Sequence, residues 1–413
     1  MTQPAPQVPR GFKNNPYEYH HILEIEIESI SNQGMGVARD NEWVIFVPFC
    51  LIGEIVRAKI YRNDKNCSYA DLVKIIKPSP KRIEPKCAIF GECGGCQYQS
   101  LSYPDQLELK QEQLSDTLRR IGHCHVPLNP SIASPKLWNY RSKITPHFNV
   151  SKKDKNLSDL GPMGFNQQNS RHNIIDMRDC VIASEAINQA WPAIKADYHK
   201  RAKEFKKGST ILLRDSQGTV ITHGRQAVTE HVLGYTFNFL AQDFFQNNPS
   251  ILDDFVGYVS KKAKETQLPY LIDAYCGSGL FGICLSPHFK QVHGIEVSAS
   301  SADWARHNAR LNDVENYQVM AASAEELFKD LTITGEQSCV IIDPPRKGCS
   351  PEFLEQLMAF KPQSVIYISC NPSTQARDLN TFWEHGYQAT EAQGVDLFPH
   401  TKHLESVVVL SLS

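Results

Sequence analysis

The sequence predicts an α/β protein in three parts, closing with a doubly wound parallel sheet. Three observations predict it. From about residue 236, apolar strand-like runs alternate with helical patterns. One of those runs leads straight into a glycine-rich turn and a helix. Ahead of them, residues 19–80 pack four or five short strand-like runs into about 60 residues, the density of a small OB-like β-barrel.

The elements follow in order. Residues 1–18 are polar and proline-rich and read as a flexible tail. Ile22–Ile30 reads as a strand and Gly34-Met35-Gly36 as a glycine turn. Trp43–Val47, Ile55–Tyr61 and Ser68–Ile76 read as further strands. Pro78-Ser79-Pro80 looks like a linker. Residues 81–235 form a mixed α/β central domain, with a helix at Tyr103–Ile121 and strands at Thr210–Arg214 and Thr219–Thr222. Its lysine-rich piece 200–207 reads as a solvated helix face. In residues 236–413 the strands are Leu271–Tyr275, Val292–Val297, Tyr317–Ala321, Cys339–Ile342 and Ser364–Ser369. Val407–Leu412 is a last strand with no helix after it.

The chain has 413 residues, 41% hydrophobic and 21% charged, which is globular composition and excludes a mainly disordered protein. No run approaches the ~20 apolar residues of a membrane span. The first fifteen residues lack an apolar signal core, which predicts a cytoplasmic protein. In that reducing setting the 12 cysteines are read for metals or catalysis, not for disulfides. The net charge of −2 argues against a uniformly basic nucleic-acid binder. By segment, however, residues 1–80 are neutral, 81–240 carry +7 and 241–413 carry −9. A basic middle is joined to an acidic end.

Five motifs carry chemistry. Asp273-Ala-Tyr-Cys-Gly277-Ser-Gly279 follows a strand and opens a helix, and Glu296 ends the next strand 19 residues after Gly277. Glycines let backbone approach a ligand, and a carboxylate there accepts from both ribose hydroxyls. The third glycine of the dinucleotide fingerprint is missing, which favours S-adenosylmethionine over NAD. Asp343-Pro344-Pro345-Arg346-Lys347-Gly348 follows another apolar strand, and its prolines stiffen a loop at the carboxyl edge of the sheet. Ser369-Cys370-Asn371-Pro372 places a thiol at the same edge. Glu405 enters the last strand. On spacing alone it reads as solvent-facing, and over the sheet edge it could serve as a general base. Cys87, Cys93 and Cys96, with distant Cys180, have the look of a metal or cluster site, and spacing does not separate zinc from iron–sulfur. The other seven cysteines read as packing residues.

Together these residues resemble the uracil-5 methyltransferase family that modifies tRNA and ribosomal RNA. Gln33-Gly-Met-Gly36-Val-Ala resembles the glycine turn of a TRAM domain, and Trp138-Asn-Tyr-Arg141-Ser-Lys143, Gly164-Phe165 and Phe244-Phe245-Gln246-Asn247 resemble family segments. The resemblance implies a Rossmann-like class I methyltransferase domain behind an RNA-binding TRAM barrel. It implies S-adenosylmethionine held by Gln246, Tyr275, Glu296 and Asp343, with Cys370 as nucleophile and Glu405 as base. It also implies a [4Fe-4S] cluster on Cys87, Cys93, Cys96 and Cys180. A structural role is expected for that cluster: stapling the basic middle domain so that Arg141 and Lys143 present an RNA surface. Leu280 departs from the family pattern, and Ala322-Ser323-Ala324 stands where an adenine contact is expected; neither is assigned.

The expected activity is C5 methylation of a uridine in RNA, with a slight lean to ribosomal RNA over tRNA. The expected partner is RNA, with no membrane, and monomer is the default. A cytosine-5 enzyme would place a cysteine after the motif matching Asp343-Pro-Pro, where this chain has Arg346. A non-catalytic RNA-binding or folding factor and an iron–sulfur electron carrier are the readings from other classes.

Overall fold

Alternate residues of the C-terminal strands enter two different cores. The computed structural model describes residues 8–150, 160–170, 172–205, 207–323, 326, 328 and 331–413. Residues 1–7 of the expected tail, Lys206 of the lysine-rich piece and Ala324 lie outside them. Contacts divide the chain into two units. The first comprises Met1–Gln113, Phe165–Ile175 and His400–Lys402, and the second Leu114–Gly164, Asp176–Pro399 and His403–Ser413.

In the first unit six strands form one curled sheet: β1 (Ile22–Glu26), β2 (Ser29–Ile30), β3 (Met35–Asp40), β4 (Trp43–Pro48), β5 (Ile55–Asn63) and β6 (Cys67–Lys77). Their order is β1-β5-β6-β4-β3-β2. Val56, Ala58 and Ile60 alternate inward along β5 and meet Ile25, Ile45, Val47 and Ala70 in the core. β3 is a strand that the sequence reading took partly as turn. Gly34, at φ 73°, makes the turn alone. Gly36 lies inside β3, where a Cβ would come within 3.0 Å of Cys50 and 3.1 Å of Ile27. Pro78-Ser79-Pro80 is tied down by the fully buried Glu54, which accepts from the Ser79 backbone N–H at 3.1 Å and from Arg82 at 2.6 and 2.8 Å.

α1 (Tyr103–Gly122) then leads to β7 (Leu128–Ile132). A set of short strands follows: β8 (Lys143–Ile144), β9 (His147–Phe148), β10 (Met163–Asn166), β11 (Ile174–Asp176), β12 (Ser209–Thr210), β13 (Leu213–Ser216) and β14 (Thr219–Ile221). α2 (Glu185–Lys200) lies among them and ends at Lys200, followed by a 3₁₀ turn at Ala202–Glu204. Residues 200–204 of the lysine-rich piece are therefore a helix end and a turn. β15 (Ala227–Val232) and β16 (Tyr235–Leu240) make a hairpin.

The main sheet of the second unit uses β7 together with β17 (Tyr270–Ala274), β18 (Gln291–Glu296), β19 (Tyr317–Ala321), β20 (Ser338–Ile342), β21 (Ser364–Ser369), β22 (Tyr387–Val395) and β23 (Glu405–Leu412). Their order is β19-β18-β17-β20-β21-β23-β22-β7. The strands from β19 to β21 are parallel, and β23 runs antiparallel to both its neighbours. The helices are α3 (Leu252–Glu265), α4 (Leu280–Leu285), α5 (Ala299–Leu311), α6 (Pro351–Phe360) and α7 (Pro372–Glu384). Leu271, Ile341, Ile366 and Ile368 face α3 and α4. Ile272, Val340, Val365 and Tyr367 face α6 and α7. Burial on both faces explains why these strands read as unbroken apolar runs. β22 was not legible, because Tyr-Gln-Ala-Thr-Glu-Ala-Gln-Gly-Val lacks such a run. Among the described residues no helix is long and apolar enough to cross a membrane.

Candidate active site

The antiparallel strand β23 brings a distant carboxyl group to the nucleophile. Its pairing with β21 ends at Ser369↔Ser406, so Cys370 and Glu405 are the next positions outward along the two strands. Gln375 of α7 fastens this pair. Its Nε2 donates to the Tyr367 carbonyl at 2.8 Å, and its Oε1 accepts from the Ser406 hydroxyl. Asn371 caps α7 by accepting from the Ser373 N–H at 3.3 Å. Glu405 is only 4% exposed, not solvent-facing as its spacing alone suggests.

Asp343 directly follows β20 and lines the same cleft, and the loop Pro344–Gly348 comes next. Burial pushes Asp343 up to about 7. Burial, then the nearby Asp343, pushes Glu405 up to about 8, with Arg346 opposing. Burial, then Glu405 and Asp343, raises the Cys370 thiol to about 11, while the charge and hydrogen bond of Arg346 pull it down. Arg346 is thus the cation that favours a thiolate here. The motif Asp343-Pro344-Pro345-Arg346 contains it, but nothing in the sequence alone marks Arg346 as part of the site.

The glycine turn forms the other end. Tyr275, Gly277 and Gly279 all have positive φ, at 71°, 54° and 90°. Glu296 braces the turn, accepting from the Gly277 N–H at 3.0 Å and the Ser298 N–H at 2.8 Å. Asp273 lies beneath and accepts from the Gly282 N–H at 2.8 Å; burial raises it to about 7. Tyr317 fills the space under the turn. A Cβ at Gly282 or Gly294 would fall 2.5 or 2.3 Å from its ring or hydroxyl.

Gln246 is positioned from the middle of the chain. Lys143 Nζ donates to the carbonyls of Gln242 and Asp243 at 2.9 and 3.2 Å. Ser142 N–H donates to the Asn247 carbonyl at 2.8 Å, and the fully buried Arg214 reaches Asn247 Oδ1 at 3.3 Å. Arg141 Nε bonds the Lys143 carbonyl at 3.1 Å, and its guanidinium lies 5.6 Å from the Phe398 ring. Arg141 and Lys143, both expected at an RNA surface, are half-buried and also tie the segment before Gln246 to β8.

One cleft of 660 Å³ joins these parts. Gln246, Tyr275, Glu296, Asp343, Cys370 and Glu405 all line it. Ser323 reaches it too, while Leu280 is 8% exposed and does not line it. Phe244 and Val297, 73% and 76% exposed, also line the cleft and were missed. The signal for Phe244 was the doubled aromatic before Gln246, since Phe245 alone satisfies the core by stacking on Phe239 at 4.3 Å.

A family profile described as tRNA (Uracil-5-)-methyltransferase matches residues 211–413. A profile for the TRAM domain of tRNA (uracil(54)-C(5))-methyltransferase matches residues 23–81. The tRNA (uracil(54)-C(5))-methyltransferase of Schizosaccharomyces pombe is 39% identical, over 96% of this chain and 80% of the relative. This chain belongs to the tRNA (uracil-5-)-methyltransferase family. The Saccharomyces cerevisiae enzyme of the same description is 35% identical, over 95% of this chain and 74% of that one. The Pyrococcus abyssi tRNA (uracil-54, C5)-methyltransferase, solved with S-adenosyl-L-homocysteine, shares the fold at a TM-score of 0.72 and 24% identity, covering 94% and 99% of the two chains. The fold is thus that of a class I methyltransferase with an N-terminal TRAM domain, and the protein is an RNA uracil-5 methyltransferase.

The metal expectation for this family member finds no such support. Among the described residues no three His, Cys, Asp or Glu side chains are gathered to hold a metal ion. Cys87, Cys93, Cys96 and Cys180 are each half-buried. Backbone bonds shape the segment instead. Gly95 N–H donates to Cys93 Sγ at 3.4 Å, Gly94 N–H to the Asn166 carbonyl at 3.0 Å, and Gln97 and Tyr98 N–H to the His400 carbonyl at 2.9 Å. Among the described residues no ligand set for a [4Fe-4S] cluster or for zinc is gathered.

Proposed function

We propose that the enzyme methylates C5 of a uridine in tRNA, at the position its yeast relatives call 54, using S-adenosylmethionine. The observation that carries the chemistry is that Cys370 and Glu405 flank the last β21–β23 pair, Ser369↔Ser406, and line one cleft with Asp343 and Glu296. The names of the relatives turn the substrate from ribosomal RNA, where the sequence leaned, to tRNA.

The cleft suits a cationic nucleoside donor. Glu296 and Asp343 place two carboxyl groups in it, and a Cβ at Gly277 would meet nothing within 4 Å, so backbone is open there. Glu296 would take the ribose hydroxyls, while Gln246, Tyr275 and Asp343 would hold the rest. When bound, the donor supplies an electrophilic methyl group on a sulfonium.

Uracil C5 is a weak nucleophile, and a thiolate corrects this. Cys370, favoured as thiolate by Arg346, adds to C6 and makes C5 enolate-like. C5 then takes the methyl group. Glu405, ionised, removes the C5 proton, the electron pair re-forms the double bond, and Cys370 leaves as thiolate. The target base must be unstacked to meet both groups, which a tRNA loop eases.

The test uses labelled S-adenosylmethionine and an unmodified tRNA transcript. Label should enter 5-methyluridine, and be lost when uridine 54 is replaced by cytidine or when Cys370→Ala is used. Label entering ribosomal RNA but not tRNA would overturn the assignment.

A further inference from the structure

The helix behind the nucleophile turns polar groups into the core. α7 buries Asp378 at 3% exposure alongside Ala376, Leu379 and Phe382. An uncompensated buried carboxylate is costly, so its partners matter. Oδ2 accepts from the Tyr367 hydroxyl at 2.6 Å and from the Cys349 N–H at 2.9 Å. Oδ1 accepts from Arg377 Nε and Nη2 at 2.9 and 2.6 Å.

These partners belong to two parts of the active site. Tyr367 lies on β21, three residues before Cys370. Cys349 closes the loop that carries Arg346. The same helix grips that loop at three further points. Asn371 Nδ2 and Thr374 Oγ1 donate to the Arg346 carbonyl at 3.0 and 3.3 Å, and Arg377 Nη2 donates to the Lys347 carbonyl at 3.0 Å. Gly348, at φ 81°, permits the approach, since a Cβ there would lie 2.5 Å from Arg377 Nη2 and 2.6 Å from Asp378 Oδ2.

We propose that Asp378 is a positioning residue that locks the Arg346 loop to the Cys370 strand, so that the guanidinium stands beside the thiol. The role rests on the thiol chemistry proposed above, but its test reads the thiol itself and not methyl transfer. Asp378 touches neither substrate; it acts through Arg346.

The experiment measures alkylation of Cys370 by iodoacetamide in the full chain without RNA, followed on the Cys370 peptide by mass spectrometry from about pH 7 to 10. Asp378→Asn should slow labelling at about pH 8 by about tenfold, one pH unit of lost thiolate, and should match Arg346→Gln. Tyr367→Phe removes one bond to the same carboxylate and should shift the profile the same way by less. In turnover, kcat should fall while the KM for RNA holds. Unchanged or faster Cys370 labelling in a folded Asp378→Asn protein, whatever its melting temperature, overturns the proposal. If that variant does not fold, an unchanged profile for Tyr367→Phe does so. A failure of the nucleophile assignment would show separately, as methyl transfer surviving Cys370→Ala.

Discussion

Two buried carboxyl groups, Asp273 and Glu405, and the half-buried Asp343 set the pH behaviour of this site. Asp273 and Asp343 stand at about 7 and Glu405 at about 8, each raised first by burial. A raised value means the folded chain keeps protons that the unfolded chain has released. The stability linked to these groups is full below the ordinary carboxylate range and is lost as pH climbs through about 7 to 8. The melting temperature should therefore fall between about pH 5.5 and 8.5, and Glu405→Gln should flatten that fall. A variant curve running parallel to wild type would exclude Glu405 as a source. Catalysis should run the other way, rising with pH as Glu405 and Cys370 ionise. At this scale the sequence was partly legible. Cys370 and Asp343 stand out because each follows an unbroken apolar strand. Glu405 emerged only through family resemblance, because its opposition to Cys370 depends on the antiparallel pairing of β23.

The elements were legible where burial writes a strong pattern. α1 was read as Tyr103–Ile121 and runs Tyr103–Gly122, and the parallel strands were found because both faces are buried. β3 and β22 were missed for want of such runs. The glycine turn gives a prediction at this scale. Gly294 lies under Tyr317, which is fully packed, and a Cβ there cannot fit. Gly294→Ala should cost about 1–3 kcal/mol of stability as overpacking and weaken donor binding, since Tyr317 underlies the turn. Thermal unfolding and calorimetric binding would measure both. Adding Tyr317→Leu should restore part of the stability. A Gly294→Ala protein as stable as wild type would show that Tyr317 can move aside.

Over the whole molecule, the near-neutral balance of 43 basic against 45 acidic residues hides opposite ends. The structure sharpens this, because part of the +7 in residues 81–240 is not available to RNA. Arg214 is fully buried. RNA affinity should still fall with salt through the remaining cations, while donor affinity changes little. A filter-binding series in salt would read both, and a flat RNA curve would remove electrostatics as the main attraction. The cysteines divide in the same way. Cys50, Cys124, Cys276, Cys284, Cys339 and Cys349 are buried as packing residues, and Cys370 alone of the twelve lines the cleft.

The central claim is that Cys370 and Glu405 work as a pair, one opening and the other closing a covalent intermediate. The most direct test is Glu405→Gln incubated with tRNA transcript and S-adenosylmethionine, then run on a denaturing gel. A covalent protein–RNA band that carries the methyl group and vanishes in the Cys370→Ala, Glu405→Gln double variant is the predicted result. Normal turnover by Glu405→Gln, with no band, would contradict the account.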